Sequence, residues 1–259
     1  YRELRSTRLG EGVNATKKIN MAAMKRTRDC LKDYVDSTRR LGVKDFRIVA
    51  TSAMRDALNR KEFVDLVKQS CGYSLEVISG EEEAQLSYLG VKEGLALNSP
   101  LVVDLGGGSC EFRIEDDKER FSLSLPLGAV RATEAHLSVV DAKNILSPIE
   151  KSSKRLKDYP LVFVGGTATT LVAVKLAMEI YDPQAVHGQV LSREEVADLY
   201  NMLELMPLNV RRRLPGLQPE RADIIPAGAM IVLLIMDTLK QQQITISESD
   251  ILDGIIRRL

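Results

Sequence analysis

The stretch Leu101–Phe112, LVVDLGGGSCEF, constrains this chain more than any other. An apolar run ends at Asp104. Gly106, Gly107 and Gly108 follow, then Ser109, and a second strand-like run covers Cys110–Ile114. Asp116 and Asp117 make a turn, after which Phe121–Leu125 resumes the strand pattern. The spacing therefore predicts strand, glycine loop, strand. A dinucleotide fingerprint or a Walker loop places a helix directly after its glycines, and no helical pattern stands there. Glycines in a tight turn let backbone N–H groups converge on an anion with no Cβ in the way. A carboxylate at the strand end can hold a metal ion against that anion. The competing reading is a hairpin with a flexible turn. Three glycines exceed what a hairpin needs, and each costs about 0.5–1 kcal/mol inside an element, so a phosphate loop between two strands is favoured.

The rest of the chain has room for such a site. Its 259 residues are enough for one large domain or two small ones, and 44% apolar content supplies a core. Lys plus Arg equals Asp plus Glu at 36 each, so no global field draws the chain to nucleic acid or to a membrane. There is no Trp, which leaves base-stacking platforms poorly supplied. Cys30, Cys71 and Cys110 are odd in number and scattered, the pattern of a reduced, cytoplasmic protein without disulfides or zinc. His136 and His187 stand alone and are expected to be structural. No signal peptide is visible. The longest apolar stretch, Ala227–Met236, stops at Asp237 and reads as a buried core helix. The chain opens on Tyr1, and YRELRSTRLGEG reads as mid-strand, so a natural start is expected upstream.

Periodicity predicts an alternating series. Helices are expected over 19–41, 55–70 and from Ser79 to about Leu97, with strands at Phe46–Ala50 and Leu75–Ile78. Asn98-Ser99-Pro100 reads as a linker. Beyond it come the three strands already described, a helix over 142–156, a strand at Leu161–Val164 and a helix over 169–178. A helix opened by the Ser192/Glu195 capping box, a buried helix over 225–239, a strand over 244–247 and a closing helix over 250–259 complete the series. The fold class is α/β in two lobes joined near residue 98.

Several constellations bear chemistry. Asp104 would bind metal or position water, or merely cap its turn. Ser109 can donate its hydroxyl to phosphate, and Glu111 alternates with it on one strand face, placed to join a metal shell. VFVGGTATT, 162–170, is strand, double glycine, helix start. Free N–H groups and the helix dipole at Gly165, Gly166 and Thr167 favour an anion, while close strand–helix packing would also select small residues. Glu81, Glu82 and Glu83 occupy a helix first turn, where complementing the dipole is the simplest role. Arg55 directly follows a strand, a position suited to clamping phosphate and equally to a surface ion pair. Arg211, Arg212 and Arg213 read as a solvated basic face.

In this order, RLGEGV, VATSAMRDALNR, VISGEEEAQLSYLGV, VVDLGGGSCEF, SLPLGAVRATE, FVGGTATTLVAV, VHGQVLSREE and LPGLQPERADIIPAGAMI resemble the exopolyphosphatase / guanosine pentaphosphate phosphatase (Ppx/GppA) family across nearly the whole chain. The resemblance implies two ribonuclease-H-like lobes of the actin/hexokinase/Hsp70 ATPase-like fold with the active site in the cleft. It implies an N-terminal lobe over 1–98, completed by the C-terminal helix 248–259, and a C-terminal lobe over 99–247. It implies a Mg²⁺-dependent phosphohydrolase that removes terminal phosphate from polyphosphate or converts pppGpp to ppGpp, as a cytoplasmic homodimer without nucleic acid or membrane partners. Glu83 matches the family's catalytic glutamate and Arg55 an arginine facing phosphate. Asp104 and Glu111 match the metal-binding carboxylates, and Gly106–Ser109 and Gly165–Thr167 the phosphate loops. Cys110 stands where the family usually has threonine. The family's first phosphate loop is expected to precede Tyr1, and the end at Leu259 matches the short, two-lobed members. A phosphotransferase of the same superfamily and a non-catalytic alarmone or polyphosphate sensor are the alternatives the residues leave open.

Overall fold

The computed structural model describes residues 2–259, and the chain divides into two compact units, one up to Ser79 and one from Gly80 to Arg258. In the first, the parallel strands β1 (Ile48–Ala50) and β2 (Leu75–Val77) pair in the register Val49 to Glu76. Helices Met21–Arg40 and Arg60–Cys71 cover them, with Met24, Val35, Phe63 and Val67 buried between. Asn20 caps the first helix by accepting from the Ala23 N–H at 2.7 Å. The helix expected over 55–70 is two helices, Ser52–Asp56 and Arg60–Cys71, because Ala57 is extended.

The second unit is built on a six-stranded sheet. Its strands are β3 (Leu101–Leu105), β4 (Cys110–Glu115), β5 (Arg120–Leu125), β6 (Leu161–Val164), β7 (Val190–Ser192) and β8 (Gln243–Ile246), in the order β5-β4-β3-β6-β8-β7. β3, β4 and β5 form an antiparallel meander, β6 and β8 run parallel to β3, and β7 closes the edge. This is the strand order of a ribonuclease-H-like lobe, and the chain has the actin-like ATPase fold. β7 carries too few residues to show a period in sequence.

Side-chain alternation on β3 sets everything that follows. Leu101, Val103 and Leu105 enter the main core with Phe163, under the helices Val139–Leu156 and Ile225–Leu239. Val102 points to the opposite face, where it packs with Val162, Val164 and Tyr88 and Val91 of the Gly80–Gly94 helix. Asp104, two residues on from Val102, shares that second face. The Gly80–Gly94 helix, read from sequence as the last element before residue 98, packs in the second unit, against the β3–β5 meander and the Ile251–Ile256 helix. The Ile251–Ile256 helix, in the segment assigned from sequence to the first lobe, lies in the second unit as well.

The basic run is also resolved. Arg212 and Arg213 are exposed, but Arg211 is buried and donates to the carbonyls of Ala222 at 2.8 Å and Met206 at 2.7 Å. Its fork ties two loop carbonyls together, a task that a charge count cannot show. His187 is likewise structural: Nδ1 accepts from the Glu248 N–H at 3.1 Å and Nε2 lies 3.1 Å from the Gly94 carbonyl. The described cysteines are all free thiols, and no helix of the described residues is long and apolar enough to cross a membrane.

The Gly80–Gly94 and Ile251–Ile256 helices touch backbone to backbone. A Cβ on Gly90 would lie 2.1 Å from the Asp250 carbonyl oxygen, and one on Gly254 would lie 2.0 Å from that of Leu86. We predict that Gly254→Ala lowers unfolding stability by about 1–3 kcal/mol through overpacking. Chemical denaturation measures it, and a variant as stable as wild type would show that the crossing is loose.

Candidate active site

Four carboxylates gather on the second face of the sheet. Asp104 ends β3, and Glu111 sits directly opposite it on β4 in the antiparallel register. Glu83 is buried in the first turn of the Gly80–Gly94 helix. Its charge bears on both, and the charge of Asp250, the cap of the last helix, bears on Asp104. Loss of solvation, then these like charges, pushes the Asp104 carboxyl up to about 7, against a hydrogen bond from Ser87 that favours the ionised form. Glu111, 1% exposed, is pushed up for the same reasons, although the Ser124 hydroxyl donates to its Oε1 at 2.7 Å and Ser109 bonds it as well.

The glycine loop is held from behind. Gly106 accepts from the Ala129 N–H at 3.1 Å, Gly107 from the Arg131 N–H at 3.0 Å, and Gly108 from Arg131 Nε at 2.7 Å. In a trans peptide the N–H of the next residue points opposite to each carbonyl. The N–H groups of Gly107, Gly108 and Ser109 are therefore turned together to the other side, as an anion cradle requires. The Ser109 side chain is buried and engaged with Glu111, so it organises that carboxylate while its N–H joins the cradle.

The second loop meets the first at Asp104. Gly165 has φ +94°, a backbone conformation that favours glycine, and a Cβ there would lie 2.7 Å from the Leu105 carbonyl oxygen and 3.3 Å from Asp104 Oδ1. The helix Gly166–Lys175 starts at once, earlier than the expected residue 169, so the N–H groups of its first turn lie at the loop. The Thr167 side chain is buried against the Gly228 backbone, so its N–H is the group it could offer an anion. Gly166 carries the Arg221 guanidinium directly on its face: a Cβ would fall 1.4 Å from Nη1. Arg221 also donates from Nε to Gln218 Oε1 at 3.0 Å. It lies near Glu248, which accepts a hydrogen bond from Tyr181.

The second unit thus brings together Glu83, Asp104, Glu111, Gly106–Ser109 and Gly165–Thr167. Arg55 belongs to the first unit. It follows β1 on the short Ser52–Asp56 helix and donates from Nη1 to the Ile78 carbonyl at 3.1 Å, beside the end of β2. Sequence reasoning missed Ser87, Asp250 and Arg221. Ser87 stands four residues after Glu83, on the same helix face, a signal that could have found it. Arg221 carries no local signal, since only the fold brings it to Gly166.

A hard cation suits this donor set, which is all oxygen and overcharged. Among the described residues no group of three or more His, Cys, Asp or Glu is arranged to hold a metal alone.

A sequence model of the Ppx/GppA phosphatase family matches residues 1–259. The chain is 38% identical to Exopolyphosphatase 2 of Mycobacterium tuberculosis, over 98% of this chain and 87% of that protein. It is 30% identical to the guanosine-5'-triphosphate,3'-diphosphate pyrophosphatase of Vibrio cholerae, over 97% of this chain and 52% of that protein. A solved Ppx/GppA family member from Aquifex aeolicus superposes with a TM-score of 0.77 at 31% identity, covering 97% of this chain and 86% of its own.

The carboxylate cluster gives a pH signature. Unfolded, these groups bind protons only below about pH 4; folded and metal-free, Asp104 holds its proton to about pH 7 and Glu111 above the usual carboxylate range. Between those limits the native state binds more protons than the unfolded chain, so stability falls as pH rises through the window. We predict that the thermal midpoint of metal-free protein declines from about pH 5 to pH 8 and that Glu111→Gln, which keeps an acceptor for Ser124, flattens the decline. Calorimetry across that range tests it, and an unchanged slope in the variant would remove Glu111 from the cluster.

Proposed function

The chain belongs to the Ppx/GppA phosphatase family, and from that premise we propose a phosphohydrolase that splits the terminal phosphoanhydride of inorganic polyphosphate or of pppGpp. The observation that carries the reading is the meeting of Asp104 Oδ1 with Gly165: a strand-end carboxylate lies at the junction of two backbone anion loops, with two more carboxylates in electrostatic reach. Relatives named for both substrates support both, since each presents the same anhydride to a phosphate cradle.

In this proposal the N–H groups of Gly107, Gly108 and Ser109 hold one phosphate and those of Gly165, Gly166 and Thr167 another. Arg221, seated on Gly166, adds a fixed positive charge at the second loop. Arg55 takes the role of a phosphate-facing arginine on the family resemblance. Asp104 and Glu111 would hold Mg²⁺ together with phosphate oxygens, and the bound ion would neutralise charge developing on the transferred phosphoryl group. Glu83 orients water and accepts its proton as the new P–O bond forms and the bridging P–O bond breaks, its electron pair leaving on the shortened phosphate chain, a role worth about 10²–10⁴-fold. Glu83 is buried in the first turn of its helix, within electrostatic reach of Asp104 and Glu111. The expectations of a homodimer, which rests on the family resemblance, and of a cytoplasmic setting, which rests also on the scattered free cysteines, belong to this proposal.

Phosphate release from polyphosphate and from pppGpp, measured side by side without any acceptor, tests the reading. Release from at least one is expected, and chelation should stop it until Mg²⁺ is restored. Binding of both without release would mean a sensor, and turnover only with an acceptor would mean a phosphotransferase. Glu83→Gln should cut kcat by at least about 100-fold while substrate still binds. Full activity in that variant would remove Glu83 from the role of base.

A further inference from the structure

Ser87 lies in the middle of a helix and is fully buried, at 0% exposure. Its neighbours on the buried side are Ala84, Leu86, Tyr88 and Val91, so an apolar residue would suit the packing. A buried serine within a helix usually returns its hydroxyl to the carbonyl one turn back. Here the hydroxyl leaves the helix and donates to Asp104 Oδ2 at 2.5 Å. The other oxygen, Oδ1, lies against Gly165. Each carboxylate oxygen is thus assigned, one to the helix and one to the second anion loop.

We propose that Ser87 is a positioning residue, whose hydroxyl locks the Asp104 carboxylate in the orientation that presents Oδ1 to the phosphate and metal site. This inference rests on the reading of function given above. Glu83 precedes Ser87 by four residues, so the two share one face of one helix. Asp104 and Glu83 come from different elements, a strand end and a helix first turn. The bond from Ser87 makes the link direct: the carboxylate that organises phosphate is tied to the same rigid turn that carries the base. Without it, repulsion from Glu83, Glu111 and Asp250 works to turn Asp104 away. A serine serving only to fill space would not touch the metal response at all.

The test uses the full chain with Mg²⁺ and inorganic phosphate as probes. Thermal unfolding is followed as Mg²⁺ is titrated at fixed phosphate, alongside the Mg²⁺ dependence of phosphate release. In Ser87→Ala, the Mg²⁺ concentration giving half the maximal stabilisation should rise about tenfold, the expected loss of one hydrogen bond to a charged group. Ser87→Thr and Ser87→Val have nearly equal volume, and the Thr form should titrate like wild type while the Val form follows Ala. In an Asp104→Asn background, Ser87→Ala should add nothing. An unchanged Mg²⁺ titration in folded Ser87→Ala, equal behaviour of the Thr and Val forms, or additive losses in the double variant would each overturn the inference. If wild type released no phosphate from either substrate, the reading of function would fall, and the unfolding titration would still decide the role of Ser87.

Discussion

Glu83, Asp104 and Glu111 repel one another where little water remains to separate them, and the second unit is arranged to hold them there. Antiparallel pairing sets Asp104 and Glu111 directly opposite on β3 and β4, where like charges are unfavourable. Alternation on β3 then turns that pair toward the helix that bears Glu83. Two glycines let the last helix lie close enough for Asp250 to join them. No ladder of buried carboxylates adds stability by itself. On the proposed function a cation and a chain of phosphates would share the space and offset the repulsion, which assigns the charges to function and the surrounding apolar packing to the fold.

In the proposed function, recognition in this lobe is carried by the main chain. The carbonyls of the first loop are secured by the segment 129–131, and the second loop opens straight into a helix. Both sets of N–H groups are fixed when the chain folds, so no reorganisation is needed as charge develops. Side chains near the loops serve the loops: Ser109 engages Glu111, Thr167 packs on Gly228 and Arg221 rests on Gly166. A polyphosphate repeats one chemical unit, and backbone donors of this kind recognise that unit without reading anything attached beyond it.

Much of this was legible in sequence. The glycine triplet between strand patterns revealed the first loop, because no other residue serves such a turn, and the Ser192/Glu195 capping box announced its helix, since capping is local chemistry. What sequence hid is what depends on distant contacts. Ser87 reads as an ordinary helix residue until β3 is laid beside it. Arg211 reads as one of three solvated charges until the loop carbonyls of Met206 and Ala222 close around it. Arg221 reaches Gly166 from more than fifty positions away in the chain, beyond any pattern of period two or 3.6. The grouping of the Gly80–Gly94 helix with the second unit follows from its buried face, Tyr88 and Val91 meeting Val102 and Val162, and a linker motif near residue 98 carries no information about that contact.

The contact of Arg221 with Gly166 also says something about how this site can change over time. The guanidinium occupies the volume in which any side chain at 166 would have to begin. A glycine-to-alanine step there requires the guanidinium, the free end of a flexible side chain, to move off the second loop. The two positions are therefore coupled: a side chain gained at 166 displaces the arginine from the second loop and moves its charge away from that backbone.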